Sequence, residues 1–263
     1  MKLWYQSTLN FEQHPNYHRA LIEHCSRIAS PGTEVVIRGR PRTFGGDLTV
    51  GDYNSTPIMF HSVVAPTYVA SLLEAEESGA DAFIVASFSE PILPELRSLA
   101  QIPVISMSEA TFMAATMNAP QVGLITLNSM VLPFLEKSRN LHKWNDRLSG
   151  IHLLDEPVNE FSLDQNWSTP APYLELLERG ARAAIAAGAG AVIPAEGVLA
   201  VMAAVNGLTH VDGTALIDAV GTSVLFAELS VELKQKTGLM QSRRAYPRPN
   251  EAALKYLRTR SDV

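Results

Sequence analysis

The chain of 263 residues contains a single cysteine, Cys25. One cysteine excludes a disulfide within the chain and is typical of a reducing compartment, so we expect the protein in the cytoplasm. The net charge is −6 and basic residues form no dominant cluster, which argues against nucleic acid as a partner. Apolar runs have the length of strands rather than the roughly 20 residues that span a bilayer, so no membrane association is predicted. The N-terminal residues show no secretory or transit pattern.

Charged residues are also few, 18% of the chain against 46% hydrophobic, so we expect a sizeable buried core in one large domain or two ordinary ones. What the sequence does contain is a repeat of nine residues. Gly79–Ser87 (GADAFIVAS) returns without a gap as Gly188–Glu196 (GAGAVIPAE). Each copy predicts the end of a helix, a short buried strand and a polar residue where the strand stops. The repeat therefore predicts two similar half-domains that present Ser87 and Glu196 to a shared cleft.

Predicted strands alternate with predicted helices, which is typical of parallel sheets with helices on both faces. The segments Ile102–Ser106 and Thr214–Asp218 follow the two copies after a helix and resemble each other. We therefore predict an α/β fold of two pseudo-symmetric three-layer half-domains with mainly parallel sheets and an active site in the cleft between them. The predicted division is 1–118 plus about 215–246 for the first half, 119–214 for the second half and 247–263 for a C-terminal tail.

Local signals predict the individual elements. Strands are predicted at 3–5, 34–38, 82–86, 103–106, 121–126, 151–154, 191–194 and 215–217. Helices are predicted at 18–28, 66–77, 91–99, 108–117 with Ser108 as its cap, 129–140, 172–187, 197–206 and 222–236, with a short helical end. Residues 40–56 have no clear period and predict a long mobile loop, whose length suggests a lid or binding loop. Arg40 and Arg42 in this loop are available to an anionic group or to solvent.

Ligands of parallel α/β sheets bind at the carboxyl ends of the strands, where Ser87 and Glu196 are both predicted to lie. Turns after the strands offer hydroxyl and backbone N–H groups that suit carboxylate or enolate oxygens. The candidate substrate-binding residues are Gln6, Ser7, Phe88, Ser89, Thr126, Asn128, Ser129 and Gly197. Helix capping is the other role open to Asn128 and Ser129, and ordinary strand-end polarity is equally open to Gln6 and Ser7.

Other polar residues are predicted to have structural roles. His14 and His18 have the i, i+4 spacing of a metal pair, but Pro15 interrupts the helix and no third ligand is evident, so no metal is predicted. Cys25 lies on the apolar face of the first helix and is expected to pack in the core. Glu90 is expected to pair with its neighbours on the surface.

Several segments, taken in order, match one known family. Those of the first half are Gly79–Pro91 (GADAFIVASFSEP), Ile102–Ile105 (IPVI) and Ser108–Ala110 (SEA). Those of the second half are Gly123–Thr126 (GLIT) followed by Asn128–Ser129, then Gly188–Gly197 and Leu216–Asp218, and near the end Gly238–Arg243 (GLMQSR). From about residue 3 to about residue 246, this ordered set resembles the aspartate/glutamate/hydantoin racemase superfamily, and hydantoin racemases in particular.

The resemblance implies an enzyme without a cofactor. In that family, two cysteines on opposite sides of the substrate's α-carbon remove and deliver a proton. Carried onto this chain, the resemblance places the two cysteine positions at Ser87 and Glu196, so both catalytic cysteines are replaced. It also implies a small-molecule substrate, a carboxylate or a cyclic amide, and a homo-oligomer.

These replacements change the chemistry that is available. A thiol with a pKa of about 8.5 serves as acid or base near neutral pH, whereas a serine hydroxyl needs an adjacent base. A glutamate becomes a useful base when burial raises its pKa from about 4.3 toward about 6–7, and the apolar residues before Glu196 favour such burial.

We therefore expect a cofactor-independent, racemase-like isomerase that works through an enolate at the carbon α to a carboxylate or cyclic amide carbonyl. In this hypothesis Glu196 is the general base and acid, and Ser87 is a polarising donor. Two alternatives stay open: a decarboxylase, other lyase or hydrolase with Glu196 as its single general base, and a non-catalytic ligand-binding protein that lost the cysteine pair.

Overall fold

Two mainly parallel sheets form the framework of the protein, in a computed structural model that describes residues 1–54, 56–127, 129–156, 158 and 160–261. The strands of the first sheet are β1 (Lys2–Gln6), β2 (Glu34–Arg38), β3 (Ala82–Val85) and β4 (Val104–Ser106), in the order β2-β1-β3-β4. The strands of the second sheet are β5 (Val122–Thr126), β6 (Leu148–Leu153), β7 (Ala191–Pro194), β8 (His210–Val211) and β9 (Thr214–Leu216), in the order β6-β5-β7-β9-β8. Strand β8 pairs antiparallel with β9, and the other pairs are parallel.

Helices cover both faces of the first sheet. The helices are α1 (Pro15–Ile28), α2 (Val50–Asn54), α3 (Pro57–Glu77), α4 (Leu93–Leu99), α5 (Met107–Asn118), α6 (Leu132–Leu141), α7 (Glu160–Gln165), α8 (Ala171–Ala186), α9 (Gly197–Val205), α10 (Ala219–Thr237) and α11 (Glu251–Ser261). Strand β1 shows the layering: Leu3 and Tyr5 pack in a core shared with α1, α5 and α10, whereas Trp4 packs in a second core with α3 and α4. Alternate strand residues point to opposite faces, so each face of this sheet has its own apolar core.

The repeated segments form equivalent strands near the middle of the two sheets. Strand β3 pairs with β1 and β4, and β7 pairs with β5 and β9. Both strands are buried along their whole length, as expected for a parallel sheet covered on both faces. Gly79 and Gly188 precede them with φ values of 76° and 99°, a left-handed conformation that glycine adopts without strain. The predicted α/β class with two half-domains is confirmed.

The chain crosses back to the first half near its end. Ala215 and Leu216 pair with Ala191 and Val192 in the second sheet, so this strand belongs to the second half rather than the first. The return begins with α10, which packs against α5 and the strands of the first sheet. Within the tail, α11 contacts α3.

Helix α3 begins nine residues before its predicted start at residue 66. The Thr56 hydroxyl caps it by accepting a hydrogen bond from Met59 N at 3.4 Å, and Pro57 occupies its first turn. Pro66 lies inside the helix, although proline favours the first turn, and this preference misplaced the prediction. By length and composition α3 resembles a membrane-spanning helix, but half of its apolar stretch is buried inside the protein, as in the core helix of a globular domain.

Two further local predictions are corrected. Helix α5 is capped by Ser106, whose hydroxyl accepts from Glu109 N at 3.1 Å, while Ser108 is buried inside the helix. The segment predicted as a mobile loop is held by an internal hydrogen bond. Arg40 is 2% exposed and donates to Leu48 O at 2.7 Å within the same segment. The last part of this segment forms α2. Arg40 therefore holds the loop together instead of meeting solvent or an anion.

Candidate active site

A small cavity of about 60 Å³ lies where the carboxyl ends of β1, β3 and β7 meet. Both residues that end the repeats, Ser87 and Glu196, line it. The other lining residues are Ser7, Thr8, Leu9, Tyr17, Val50, Asn54, Phe60, Ala86, Phe88, Ser89, Val131, Phe134, Glu160, Gly197 and Val198. The cavity is thus built from both halves, as the repeat predicted.

Glu196 combines burial with two hydrogen bonds to its carboxyl group. It directly precedes α9, and its Oε1 accepts from the Thr126 hydroxyl at 2.7 Å instead of capping the helix. Burial and, to a smaller extent, the nearby Glu160 raise the pKa of Glu196 to about 8, against the opposing effect of hydrogen bonds from Thr126 and the Leu127 backbone. A carboxyl group with this pKa exchanges protons near neutral pH, which is what a general acid or base requires.

Glu160 is a second carboxyl group in the same cavity, and sequence reasoning missed it. It starts α7 and is 8% exposed. Burial raises the pKa of Glu160, while its own backbone N–H and the charge of His14 lower it. Two carboxylates that share a small cavity repel each other, so one negative charge is favoured over two.

Ser87 is paired with the hydroxyl of Ser89. Their Oγ atoms are 2.8 Å apart, and the backbone N–H of Ser89 lies 3.3 Å from Ser87 Oγ. Either hydroxyl can donate in this pair. The pair supplies the cavity with donors, and its nearest hydrogen-bond partners are neutral, so Ser87 is suited to hold a substrate oxygen rather than to attack as a nucleophile.

Tyr17 closes the cavity beside the start of α9. A side chain at Gly197 would place its Cβ 3.1 Å from the Tyr17 hydroxyl, so glycine permits this close approach. The backbone N–H of Tyr17 donates to Asp164 Oδ1 at 2.7 Å, which ties α1 to α7. Burial raises the pKa of Tyr17, so its hydroxyl stays protonated and able to donate.

Two aromatic rings form part of the apolar lining of the cavity. The rings of Phe60 and Phe134 have centroids 4.6 Å apart, and both line the cavity. A larger cavity of about 410 Å³ adjoins the first and shares Val50 and Glu160 with it. The shared residues place α2 and the start of α7 between the two spaces.

Four of the predicted substrate-binding residues line the cavity: Ser7, Phe88, Ser89 and Gly197. Gln6 does not, because its side chain points toward α3. It is 1% exposed, donates to Ser7 O and Gly39 O at 2.7 and 3.1 Å, and accepts from Ser71. The amide group of Gln6 therefore forms its hydrogen bonds within the first half.

Three further candidates come from the β5 end of the second sheet. Thr126 is fully buried and donates a hydrogen bond to Glu196 rather than lining the cavity. Ser129 is exposed, and Asn128 lies outside the described residues.

Cys25 is fully buried on α1, and burial raises the pKa of its thiol to about 12, which leaves it inert. Among the residues described, no group of three or more histidine, cysteine, aspartate or glutamate side chains is placed to hold a metal ion.

Comparison with known proteins identifies the scaffold. The family model described as Asp/Glu/Hydantoin racemase matches residues 52–224. The hydantoin racemase of Pseudomonas sp. (strain NS671) is 25% identical over 231 residues, which cover 88% of this chain and 87% of the relative. The structure of allantoin racemase from Klebsiella pneumoniae has a TM-score of 0.75 at 22% identity and covers 95% of this chain and 94% of that one. Allantoin racemase from Pseudomonas fluorescens gives 0.74 at 22% identity, with 95% and 97% covered.

Proposed function

The chain belongs to the Asp/Glu/hydantoin racemase family, and from this premise we propose that it is an isomerase in which Glu196 moves a proton at the carbon next to a carbonyl group. The observation that carries the proposal is Glu196 itself. It lines the same cavity as Ser87, with a pKa raised to about 8. A general base works best when its pKa lies near the operating pH.

The proposed reaction is a proton transfer through an enolate. The Glu196 carboxylate takes the proton from the α-carbon, and the electron pair of the C–H bond moves into the carbonyl group. The Ser87–Ser89 hydroxyl pair, the Tyr17 hydroxyl and the N–H groups at the start of α9 are the donors proposed for the enolate oxygen. The Glu196 carboxylic acid exchanges its proton with solvent and then delivers a proton to carbon, which regenerates the base without a cofactor.

The proposed substrate is a small planar ring with a cyclic amide. The relatives that match this chain are named for hydantoin and allantoin, and both compounds carry a C–H beside a carbonyl in a five-membered ring. The Phe60 and Phe134 rings in the cavity lining offer apolar surface to such a ring. Because one base replaces two, inversion at carbon requires the planar enolate to turn before the proton returns.

The test is hydrogen exchange at that carbon. The protein is incubated in deuterated water with hydantoin, allantoin and 5-substituted hydantoins, and deuterium at C5 and optical rotation are followed. We expect Glu196→Gln to slow exchange by about 10²–10⁴-fold, the usual contribution of a general acid or base, while binding of the ring persists. Glu175→Gln, at an exposed position in the same half, is the matched control. Exchange at an undiminished rate in Glu196→Gln would exclude Glu196 as the base.

A decarboxylase is the second candidate, because of one feature of Glu196. With a pKa of about 8, its carboxyl group is largely protonated at pH 7 and ready to protonate a carbanion left by loss of CO₂. The substrate would then carry its carboxylate on the same α-carbon. Release of CO₂ with a single solvent deuterium in the product identifies this reaction. A hydrolase would open the ring without exchange at carbon, and a pure binding protein would bind the ring unchanged after Glu196→Gln.

A further inference from the structure

Glu90 was expected to pair on the surface, but it is one of the buried charged residues, only 3% exposed. Its carboxylate accepts from the Ser106 hydroxyl and, at 2.6 Å, from the Ser138 hydroxyl. His142 Nε2 lies 2.9 and 2.7 Å from its two oxygens. Every one of these partners is a hydrogen-bond donor, so the buried carboxylate is well satisfied.

His142 lies between two carboxylates. Its Nε2 faces Glu90, and its Nδ1 lies 3.2 Å from Glu109 Oε1. The Trp144 ring stacks on His142 with ring centroids 4.9 Å apart. Glu109 in turn pairs with Arg97, so acidic and basic side chains alternate along a partly buried chain.

This chain of charges joins the two halves at the turn that carries Ser87. Glu90 and Ser106 belong to the first half, whereas Ser138 is on α6 and His142 directly follows it in the second half. Glu90 N donates to Ser87 O at 3.2 Å, which closes the turn. The φ of Glu90 is 46°, a left-handed conformation that a non-glycine residue keeps only where its surroundings hold it.

We propose that Glu90 is a positioning residue, which fixes the Ser87–Ser89 turn against the second half through His142 and Ser138. Since Glu196 belongs to the second half, this contact sets the distance and orientation of the Ser87 hydroxyl relative to Glu196. The inference concerns the site described above, and its activity assay rests on the proposed function.

The test in turnover is a double-mutant cycle of Glu90→Gln with Ser87→Ala, measured as deuterium exchange into hydantoin. Glutamine has the size of glutamate but cannot accept from His142 as a carboxylate does. We expect Glu90→Gln to lower kcat by about 10–100-fold with little change in KM, because small displacements of a catalytic group have effects of that size. In the Ser87→Ala background the same substitution should add at most about a twofold loss. Equal losses in both backgrounds would overturn the proposal, because they indicate general destabilisation.

A second measurement does not depend on turnover. Amide hydrogen exchange of the segment containing residues 87–90, followed by mass spectrometry, should accelerate in Glu90→Gln and, less strongly, in Ser138→Ala, which leaves the charges in place. Glu95→Gln, at an exposed position of α4, should leave it unchanged. Unaltered protection in both variants would overturn the proposal. If amide exchange accelerates in Glu90→Gln but the wild-type protein turns over no ring compound, the result counts against the proposed function alone.

Discussion

At the residue scale, the cavity holds two carboxyl groups that control each other's charge. Glu160 and Glu196 line the same small space, where Glu160 is buried and Glu196 is half-buried. The hydrogen bonds from Thr126 and the Leu127 backbone hold the Glu196 carboxylate, yet burial and Glu160 prevail and raise its pKa to about 8. In place of the two thiols that the family resemblance implied, the cavity has the Ser87 hydroxyl and the Glu196 carboxyl group, with Glu160 as a carboxyl neighbour.

Glu160→Gln should therefore lower the pKa of Glu196. Removing the neighbouring negative charge removes one cause of the increase, so the carboxylate form of Glu196 becomes available at lower pH. The acidic limb of the kcat/KM profile for hydantoin exchange is expected to move to lower pH. Glu175→Gln, far out on the surface of α8, should leave the limb in place. An unchanged limb in Glu160→Gln would mean that burial alone sets this pKa.

Glu196 should also make the fold less stable as pH rises. Its folded pKa is raised from 4.5 to about 8, so the folded state binds the proton more tightly than the unfolded state does. The stabilisation is fully present below about 4.5 and is lost as pH rises through about 8. Glu196→Gln removes this titration. We expect its Tm to exceed that of the wild type at pH 9 and to approach it at pH 5, measured by differential scanning calorimetry.

At the scale of elements, helix α2 contributes Val50 to the boundary between the small cavity and the larger space beside it. Val50 lines both cavities and lies at the start of α2, in the segment that Arg40 ties together. If the ring proposed above binds in the small cavity, the same element limits the size of the group that the ring can carry. A substrate substituent that leaves the small cavity would have to pass Val50 or Glu160.

Val50→Ala should widen this passage. The shorter side chain is expected to raise kcat/KM for 5-benzylhydantoin relative to 5-methylhydantoin by about 10-fold, since a hydrophobic contact of one or two methyl groups contributes about 1–3 kcal/mol to discrimination. Val69→Ala, in α3 outside the cavity lining, is the matched control. A ratio that does not change would indicate that the larger cavity does not receive the substituent.

The elements that sequence patterns predicted well are those with strong local signals. The segments AFIV and AVIP were recognised from continuous apolar runs, and their carboxyl ends located Ser87 and Glu196. Helix α7, which brings Glu160 to the cavity, was missed because EFSLDQ is too short for a helical period to be visible. For Gln6 the sequence left substrate binding and ordinary strand-end polarity equally open, because strand-end position does not reveal which face of β1 a side chain occupies.

At the scale of the whole molecule, the site depends on contacts between the halves that no local pattern displays. Tyr17 and Asp164 are 147 residues apart in the sequence, and Glu90 and His142 are 52 residues apart. These pairs form only when both halves are folded and docked. The repeat therefore predicted that the halves face each other, whereas the residues that hold them at one distance emerged only from the structure.

Asp164 is the whole-molecule contact that is simplest to test. It is 3% exposed and accepts from Tyr17 N at 2.7 Å, which holds the start of α1 in the first half against α7 in the second. Asp164→Ala leaves the buried Tyr17 N–H without this acceptor, a loss of about 1–3 kcal/mol in the free energy of unfolding. Asp164→Asn keeps an acceptor oxygen at that position and should lose less.

Asp164→Ala should also weaken substrate binding, because Tyr17 and Glu160 lie on the two sides of this α1–α7 contact and both line the cavity. We expect KM for the ring to rise in Asp164→Ala and to change little in Asp155→Ala, a substitution of an exposed carboxylate in the same half. Urea denaturation gives the free energy of unfolding, and the exchange assay gives KM. Equal stability and KM in Asp164→Ala and the wild type would show that other contacts suffice to dock the halves, and that Tyr17 keeps its place in the cavity without Asp164.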